Sequence, residues 1–141
     1  LVTAVERGRD AFQQARERGD PSVTLWGSGQ ARREFLYVED LVEACEILLA
    51  QYDGNEPVNV GSGGSTSVSE LAQAIREMTG FQGEIGGDAS RPDGAPEKQL
   101  DSSLARRLGW APKTELRAGL ERTHQWYLEH ERSAKIGAER P

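Results

Sequence analysis

The sequence is poor in the side chains that build disulfides and metal centres. Its 141 residues include one cysteine, one methionine and two histidines. A single cysteine cannot close an internal disulfide, which argues against a bridged secreted scaffold and favours a reducing compartment. His124 and His130 fall on the last predicted helix, where they can face water, and have no cysteine or histidine partner at metal-ligand spacing. The sequence therefore predicts no metal site and no catalytic histidine.

Long apolar runs and an excess of positive charge are also missing. No stretch approaches the roughly 20 apolar residues that cross a bilayer, and no leader pattern of a secreted protein opens the sequence. The formal net charge is -6 and is spread along the chain, so its field repels nucleic acid and anionic lipid. We therefore expect a cytoplasmic protein with no nucleic-acid or membrane partner, in which local cations hold any anionic ligand.

The chain also lacks the sequence signatures of dinucleotide binding and of short-chain dehydrogenase catalysis. A catalytic tyrosine of that type needs a lysine one helical turn later, and Tyr37, Tyr52 and Tyr127 are followed at that spacing by leucine or glutamate. The glycine turn at 61–64 lacks the third glycine of a dinucleotide fingerprint. We therefore interpret it as a plain turn and assign no catalytic or cofactor-binding residue.

What remains is a pattern of alternating helices and strands. The length fits one domain over residues 1–141, and the 36% apolar share with 16 glycines indicates either a loop-rich domain or a piece whose core is completed elsewhere. Gly19 ends the first predicted helix, 22–26 is a predicted strand, and 33–38 is predicted to be a second strand after a glycine turn. The fold class is therefore α/β.

Two capping-box spacings predict the central helices. Asp40 with Glu43 predicts a helix start, as does Ser67 with Glu70. The apolar face of the first helix consists of Leu41, Ala44, Cys45, Leu48 and Leu49, and that of the second of Val68, Leu71, Ala72, Ile75 and Met78. We expect Cys45 to be a small core residue and not a nucleophile.

The rest of the chain is predicted to contain two short strands, a structured loop and a terminal helix. Val58–Val60 is a short apolar run that predicts a strand ending at Gly61. The region 81–96 is rich in Gly, Asp and Pro and predicts a brief strand around Glu84–Ile85, followed by a long structured loop. The last helix carries its apolar residues over 116–130, and residues 132–141 are expected to form a frayed tail.

Two segments combine cations with a constrained backbone. WGSGQARREF places Trp26 at a strand end and Arg33 at the start of the next strand, and SRPDGAPEK presents Arg91 and Lys98 on a loop fixed by two prolines. An arginine fork suits a pair of phosphate oxygens, and a rigid loop presents a cation at little ordering cost. The simpler alternative is a hairpin with a solvated arginine and a packed tryptophan, followed by an ordinary surface turn.

Taken together, these motifs resemble a known enzyme family. WGSGxxRREFxYVxD, PVNVGSG, SxSELA, RPDGxPxKxLD, LGW and GLExTxxWxLE are similar in order and spacing to the GDP-L-fucose synthases, over the range 12–131. The VNVG run and the helix after it occur across extended sugar-nucleotide epimerases and dehydratases. The RPDG loop together with WGSGxxRREF points to the narrower group.

The resemblance implies an NADP-dependent homodimer that converts GDP-4-keto-6-deoxy-D-mannose to GDP-L-fucose by 3,5-epimerisation and 4-reduction. It implies that Arg33 and Lys98 grip the diphosphate of a GDP-sugar, that Trp26 lies near the bound substrate, and that Asn59–Gly61 joins a Rossmann sheet. The chain then corresponds to a small substrate-binding domain plus the terminal strand and helix of a Rossmann-type doubly wound sheet. The N-terminal half that binds NADP(H) is expected to be absent.

The departures from the family limit what can be inferred for this chain. The family's glycine fingerprint, catalytic serine, Tyr-x-x-x-Lys pair and epimerisation cysteine belong to the missing half, and Thr3 and Ala11 stand where a histidine and an arginine are expected. We therefore expect the chain alone to be inactive. Two alternatives stay open: the equivalent part of an enzyme acting on a UDP- or dTDP-sugar, and a stand-alone binding module without catalysis.

Overall fold

The computed structural model describes residues 2–138, and side chains within 8–130. The described part is a mixed α/β structure, as the sequence predicts. Its elements in chain order are α1 (Val2–Arg18), β1 (Ser22–Trp26), β2 (Arg32–Glu34), α2 (Val38–Gln51), β3 (Ser65–Ser67), α3 (Val68–Thr79), β4 (Glu84–Asp88), β5 (Glu97–Lys98), α4 (Ser103–Arg107) and α5 (Leu116–Ala138). No helix in this part is long and apolar enough to cross a membrane.

The strands form two small sheets. In the first sheet, β1 pairs in parallel with β4, so that Trp26 lies opposite Asp88. In the second sheet, β2 lies between β3, which is antiparallel to it, and β5, which is parallel to it. Residues 89–96 connect β4 to β5. This loop therefore runs from the carboxyl end of the first sheet to the edge of the second.

The main core lies between α1, α3 and α5. Its buried members are Phe12, Ala15, Leu71, Ala72, Ile75, Phe81 and Leu120. Phe12 and Phe81 meet edge to face at 5.5 Å between ring centroids. The predicted capping box is present: the Ser67 hydroxyl accepts from the Glu70 amide, and the Glu70 carboxylate accepts from the Ser67 amide. The prediction for α3 is therefore confirmed at its start and on its buried face.

A second apolar cluster is smaller and is tied together by Asp40. Ala44, Ala105 and Trp110 are its buried members. The helix α2 begins at Val38, so the predicted N-cap at Asp40 is wrong. The Asp40 carboxylate instead accepts from the backbone amides of Lys113 and Thr114, and its carbonyl accepts from Trp110 Nε1 at 2.9 Å. Asp40 thus joins α2 to the segment that leads into α5.

The second strand is shorter than predicted. It covers Arg32–Glu34 and not 33–38, because its partners β3 and β5 contain three and two residues. After Glu34 the chain turns inward: Phe35 packs against the main core and Leu36 against the second cluster. These two contacts take the place of the missing strand pairs.

The predicted buried face of α2 is also wrong. Ala44 is fully buried, but Leu41 is 41% exposed, Leu49 is 89% exposed, and Cys45 is exposed and not a core residue. The apolar periodicity is real, since these residues share one face of the helix. In the described residues, however, only the edge of this face that carries Ala44 lies against the second cluster, together with Ile47.

The predicted strand at Val58–Val60 does not form. Val58 and Val60 are half-buried against the second cluster and Asn59 is exposed, so the side chains alternate as in a strand. Within the described residues, this segment makes no backbone hydrogen bonds to another segment. A strand requires a neighbour for its amides and carbonyls, and the described chain provides none here.

His124 is buried and does not face water as predicted. It is 9% exposed, and its Nδ1 atom has no hydrogen-bond partner among the residues whose side chains are described. Burial lowers the pKa of His124, and the charges of Arg9 and Arg16 lower that pKa further. His130 is exposed and stacks on Trp126. The helix α5 continues to Ala138, while the expected frayed tail over 132–141 lies outside the residues whose side chains are described.

We predict that replacing a core residue destabilises the chain far more than replacing an exposed residue of similar size. Ile75 is 1% exposed and Leu49 is 89% exposed. Ile75→Ala should cost about 2–5 kcal/mol, whereas Leu49→Ala should change the free energy of unfolding by no more than about 0.5 kcal/mol. Urea denaturation of the two variants measures the difference. Equal losses would contradict this description of the core.

We predict that His124 makes the fold sensitive to acid. Because its folded-state pKa is lowered from 6.5, the unfolded chain binds a proton there more readily than the folded chain does. Stability therefore falls as the pH drops below 6.5 towards the folded-state pKa. The melting temperature should decrease less between pH 7.5 and 5.5 in His124→Gln than in the exposed control His130→Gln. Identical pH slopes in the two variants would rule this out.

Candidate functional site

Arg33 and Lys98 are direct neighbours in the second sheet. They are register partners on β2 and β5, which run parallel. Neighbouring strands lie about 4.8 Å apart, and residues in register point to the same face, so the two cationic side chains project together. Neither makes an ion pair with a described residue. Two adjacent cations without an anion form a place where a phosphate group would be stabilised.

The guanidinium of Arg33 is held by backbone carbonyls. Its Nη1 atom donates to the carbonyl of Arg32 at 2.5 Å and to that of Ala95 at 2.9 Å. Its Nε and Nη2 atoms make no hydrogen bond to described residues, and Nη2 lies beside Gly94. One edge of the fork is therefore used to fix the group in place. The other edge can still donate to a ligand.

The connecting loop is latched to the glycine turn after β1. Ser28 donates to the Asp93 carboxylate twice, from its amide at 2.5 Å and from its hydroxyl at 2.7 Å. These bonds lower the pKa of Asp93, the hydroxyl contributing most. Gly27 has a φ of 75°, and a Cβ atom there would collide with Asp93. The glycine is therefore required both for the turn and for the approach of the loop.

Trp26 lies at the carboxyl end of β1 and is 73% exposed. It is therefore not the packed tryptophan of the simpler alternative. The Arg91 guanidinium carbon lies 5.0 Å from the centre of its ring, and Arg91 Nε is 3.7 Å from a carboxylate oxygen of Asp88. Such a stack holds an indole in place by cation–π attraction. Arg91 is thus the residue that orients Trp26, a role that its position before Pro92 does not reveal.

One loop brings the three predicted site residues into the same region. Arg91, near the beginning of the loop, contacts Trp26 of β1, and Ala95, near the end of the loop, contacts Arg33 of β2. Four residues span at most about 14 Å from Arg91 to Ala95, since an extended chain advances by about 3.5 Å per residue. An aromatic ring and a pair of cations thus lie within the reach of one extended small molecule.

A buried carboxylate, which the sequence pattern does not reveal, organises the opposite side of β2. Glu34 is 8% exposed, and its carboxylate accepts from the amides of Gly63 at 2.5 Å and Leu100 at 2.9 Å. A Cβ atom at Gly61 would lie 2.6 Å from this carboxylate. An acidic group next to a pair of arginines is normally interpreted as a surface residue. No signal in the sequence indicates its burial.

This contact also tests whether the glycine turn at 61–64 fits a dinucleotide. A phosphate cradle needs free amides and no nearby negative charge. Here the Gly63 amide donates its hydrogen bond to the Glu34 carboxylate, and the same carboxylate fills the space next to Gly61. The turn therefore does not fit a pyrophosphate, which supports its interpretation as a plain turn.

The site is an open surface in the part of the chain that the structure describes. A groove of about 590 Å³ lies along α3 and includes none of the three site residues. The same part contains no cluster of three or more His, Cys, Asp or Glu side chains that could hold a metal ion. Arg33, Lys98 and Trp26 can therefore bind and orient a ligand, but they do not enclose it.

Comparison with known proteins shows which proteins the chain resembles. The sequence profile described as the NAD dependent epimerase/dehydratase family matches residues 6–61. The chain resembles this family over that range. It is 47% identical over 119 residues to GDP-L-fucose synthase 1 of Arabidopsis thaliana, a match that covers 84% of this chain and 37% of that protein. The resemblance to the GDP-L-fucose synthases is thereby confirmed, and the chain spans little more than a third of that relative's length.

Solved structures of similar proteins share the fold of this chain. The GDP-L-fucose synthetase of Naegleria fowleri bound to NADP matches with a TM-score of 0.81 and 26% identity, over 92% of this chain and 41% of that one. The UDP-glucose 4-epimerase of Thermotoga maritima with UDP-glucose matches with a TM-score of 0.72 and 31% identity, over 86% and 39%. The α/β fold is shared, and each match covers less than half of the larger chain.

We predict that the Ser28 hydroxyl keeps the pKa of Asp93 low. Ser28→Ala removes the largest cause of the shift and leaves the amide bond, so the pKa of Asp93 should rise towards 3.8. Carboxylate NMR titration measures this change. Asp101 is an internal control, because its lowered pKa depends on Ser103 and should not move. An unchanged Asp93 titration in Ser28→Ala would show that the latch is not formed in solution.

Proposed function

We propose that this chain forms the sugar-nucleotide-binding part of a GDP-L-fucose synthase. The full enzyme would convert GDP-4-keto-6-deoxy-D-mannose to GDP-L-fucose by 3,5-epimerisation and NADPH-dependent 4-reduction. The observation that carries the proposal is the pair Arg33 and Lys98, adjacent across two strands and without an anionic partner among the described residues. The names of its relatives support this substrate class.

Arg33 and Lys98 would hold the diphosphate of the GDP-sugar. Arg33 offers a planar pair of N–H donors from a group already fixed by Ala95, and Lys98 supplies a second charge on the same face. Because the chain has a net charge of -6, a diphosphate is attracted to these local cations and not by the overall field. Their role is to bind and to orient the substrate.

Trp26 would lie along the bound nucleotide sugar, with Arg91 fixing the orientation of its ring. The exposed face of an indole can pack against a sugar or a base. Arg91 adds a positive charge at this end of the loop, so the nucleotide would meet cations at both ends. The loop itself is held by the Asp93 latch and needs little ordering when a ligand arrives.

The chemical steps would depend on residues outside this chain. Each of the three tyrosines has a structural contact: the guanidinium of Arg122 lies over Tyr37, the Tyr52 hydroxyl donates to Glu56, and the guanidinium of Arg9 lies over Tyr127. None is followed by a lysine at helical spacing. We assign no catalytic residue and no NADP-binding residue here. We further propose that the full enzyme is a homodimer, as the resemblance implies, and that it lies in the cytoplasm, as the single cysteine indicates.

A second candidate is the equivalent part of an enzyme acting on a UDP-sugar. The likeness to the UDP-glucose 4-epimerase supports it, at 31% identity over 86% of this chain. The cations bind the diphosphate that both nucleotides share, and no residue described here distinguishes guanine from uracil. Competition between GDP and UDP for the same site separates the two candidates.

We predict that GDP binding depends on both cations. A charge-assisted hydrogen bond contributes about 1.5–3 kcal/mol, so Arg33→Gln and Lys98→Gln should each weaken GDP affinity by at least about tenfold. Titration of the 141-residue chain with GDP, followed by NMR, measures the affinity. The matched control is Arg18→Gln, which removes an exposed arginine on α1 that pairs with Asp20.

The ligand series sharpens this test. Inorganic pyrophosphate should show the same loss in both variants, because it carries the diphosphate without a base. UDP binding as tight as that of GDP would favour the second candidate. Unchanged GDP affinity in both variants would overturn the assignment of the site.

A further inference from the structure

The strand β3 adds a third side chain to the face of the second sheet that carries the two cations. Thr66 is the register partner of Arg33 in the antiparallel pair of β3 with β2, and Lys98 is its partner in the parallel pair of β2 with β5. Register partners on neighbouring strands point to the same face of a sheet, with Cβ atoms about 5 Å apart. Thr66, Arg33 and Lys98 therefore form one row across the three strands, with Arg33 in the middle.

The Thr66 hydroxyl is available to a ligand, in contrast to the hydroxyls of its two neighbours on β3. Ser65 Oγ donates to the Glu97 carboxylate, and Ser67 Oγ accepts from the Glu70 amide. Thr66 is half-buried, and its hydroxyl makes no hydrogen bond to a described residue. A threonine hydroxyl carries one donor and two acceptor sites. These sites remain unused on the side of the sheet where the cations project.

Hydrogen bonds on the opposite face of the sheet hold the row in place. The Arg32 guanidinium donates to the hydroxyl of Ser65 at 3.1 Å and to its carbonyl at 2.5 Å, and the same hydroxyl donates to Glu97. These contacts connect β2 to β3 and β3 to β5. A slip of one residue would turn Thr66 to the other face and break them, so they also fix its place beside Arg33. The row therefore needs little ordering when a ligand binds.

The order of the three side chains suits a ligand with two phosphate groups. Neighbouring strands lie about 4.8 Å apart, so the row extends over about 10 Å from Thr66 to Lys98. The oxygens of a diphosphate are distributed over two phosphorus atoms. A diphosphate held by Arg33 can thus present one phosphate towards Lys98 and the other towards Thr66. A neutral hydroxyl also donates to an anionic oxygen without adding to the repulsion between the two cations.

We propose that Thr66 is a further binding residue of this site, and that its hydroxyl donates a hydrogen bond to the phosphate on its side of Arg33. The inference rests on the proposed function, because it takes a diphosphate as the ligand of Arg33 and Lys98. Thr66 lies between two serines at the start of α3, where the sequence pattern indicates only the capping box of Ser67. Its position on the binding face follows from the strand register alone.

The substitution Thr66→Val tests this hydrogen bond. Valine has nearly the shape of threonine and is favoured in strands, so β3 should keep its pairing. Because a hydrogen bond to a charged group is lost, pyrophosphate and GDP should each bind at least about fivefold more weakly. Thr66→Ser keeps a hydroxyl and should retain most of the affinity. NMR titration of the 141-residue chain measures the dissociation constants.

The matched control is Thr123→Val. Thr123 is also half-buried, and its hydroxyl donates to the carbonyl of Gly119 within α5, which contributes no residue to the row. The same group is removed at a distance from the ligand, so the affinity for pyrophosphate should not change. Melting temperatures of both valine variants show that each is folded at the temperature of the titration.

A double variant separates a ligand contact from a structural role. If Thr66 and Arg33 hold the same diphosphate, the hydroxyl is well placed only while Arg33 orients the ligand. Thr66→Val should therefore weaken pyrophosphate binding less in an Arg33→Gln background than in the unaltered chain. Fully additive losses would contradict a shared ligand.

The remaining outcomes distinguish this inference from the proposed function. Full pyrophosphate affinity in Thr66→Val, with the loss in Arg33→Gln present, would overturn the role of Thr66 and leave the proposed function standing. An unaltered chain that binds neither pyrophosphate nor GDP would overturn both. Weaker binding of GDP-mannose with unchanged binding of pyrophosphate would place the hydroxyl on the sugar and contradict the phosphate contact. Equal losses in Thr66→Ser and Thr66→Val would show that the substitutions disturb β3 and that the hydroxyl itself binds nothing.

Discussion

The buried carboxylate of Glu34 is the constraint on which the rest of the candidate site depends. A charge removed from water without hydrogen bonds is strongly destabilising, and Glu34 satisfies its two oxygens with the amides of Gly63 and Leu100. These two partners lie in the turn before β3 and just after β5. The Glu34 side chain therefore joins the middle strand β2 to the segments next to both of its neighbours, β3 and β5. Because Leu100 follows β5 directly, this contact helps to fix the register of β2 with β5.

That register determines the electrostatics of the opposite side. With Glu34 anchored, Arg33 lies opposite Lys98, and two like charges are held on neighbouring strands. Such a pair is unfavourable unless an anion or water screens it. The Arg33 guanidinium is stabilised in part by the carbonyls of Arg32 and Ala95, which carry partial negative charge but do not neutralise it. The repulsion that remains is the free energy that an anionic ligand would relieve.

The sequence predicts the local structure well where the signal is itself local. The capping box at Ser67 and Glu70, the strand at Ser22–Trp26 and the helix stop at Gly19 depend on residues a few positions apart, and all three are present. Asp40 has the same spacing to an acidic residue as a capping box but bonds to Lys113 and Thr114 instead. Contacts to residues more than 70 positions away thus decide the role of Asp40. The local sequence around Asp40 carries no information about these partners.

The predictions that failed on α2 and at 57–60 share one cause. Periodicity shows that a face is apolar, but it does not show what covers that face. The sequence predicts Leu49 and Cys45 in the core because a helix normally buries its apolar face, and it predicts a strand at Val58–Val60 because this segment is a short apolar run. Both patterns are present, and in each case the covering element is missing from the described residues.

The candidate site shows the same lack of a covering element. Resemblance to a family singled out Arg33, Lys98 and Trp26, and the structure places one latched loop across all three, but it forms no wall around them. A diphosphate on such a surface would stay largely hydrated, and water weakens each charge-assisted contact. Each contact that Arg33 and Lys98 make to a ligand there is therefore weaker than the same contact would be in a site from which water is excluded.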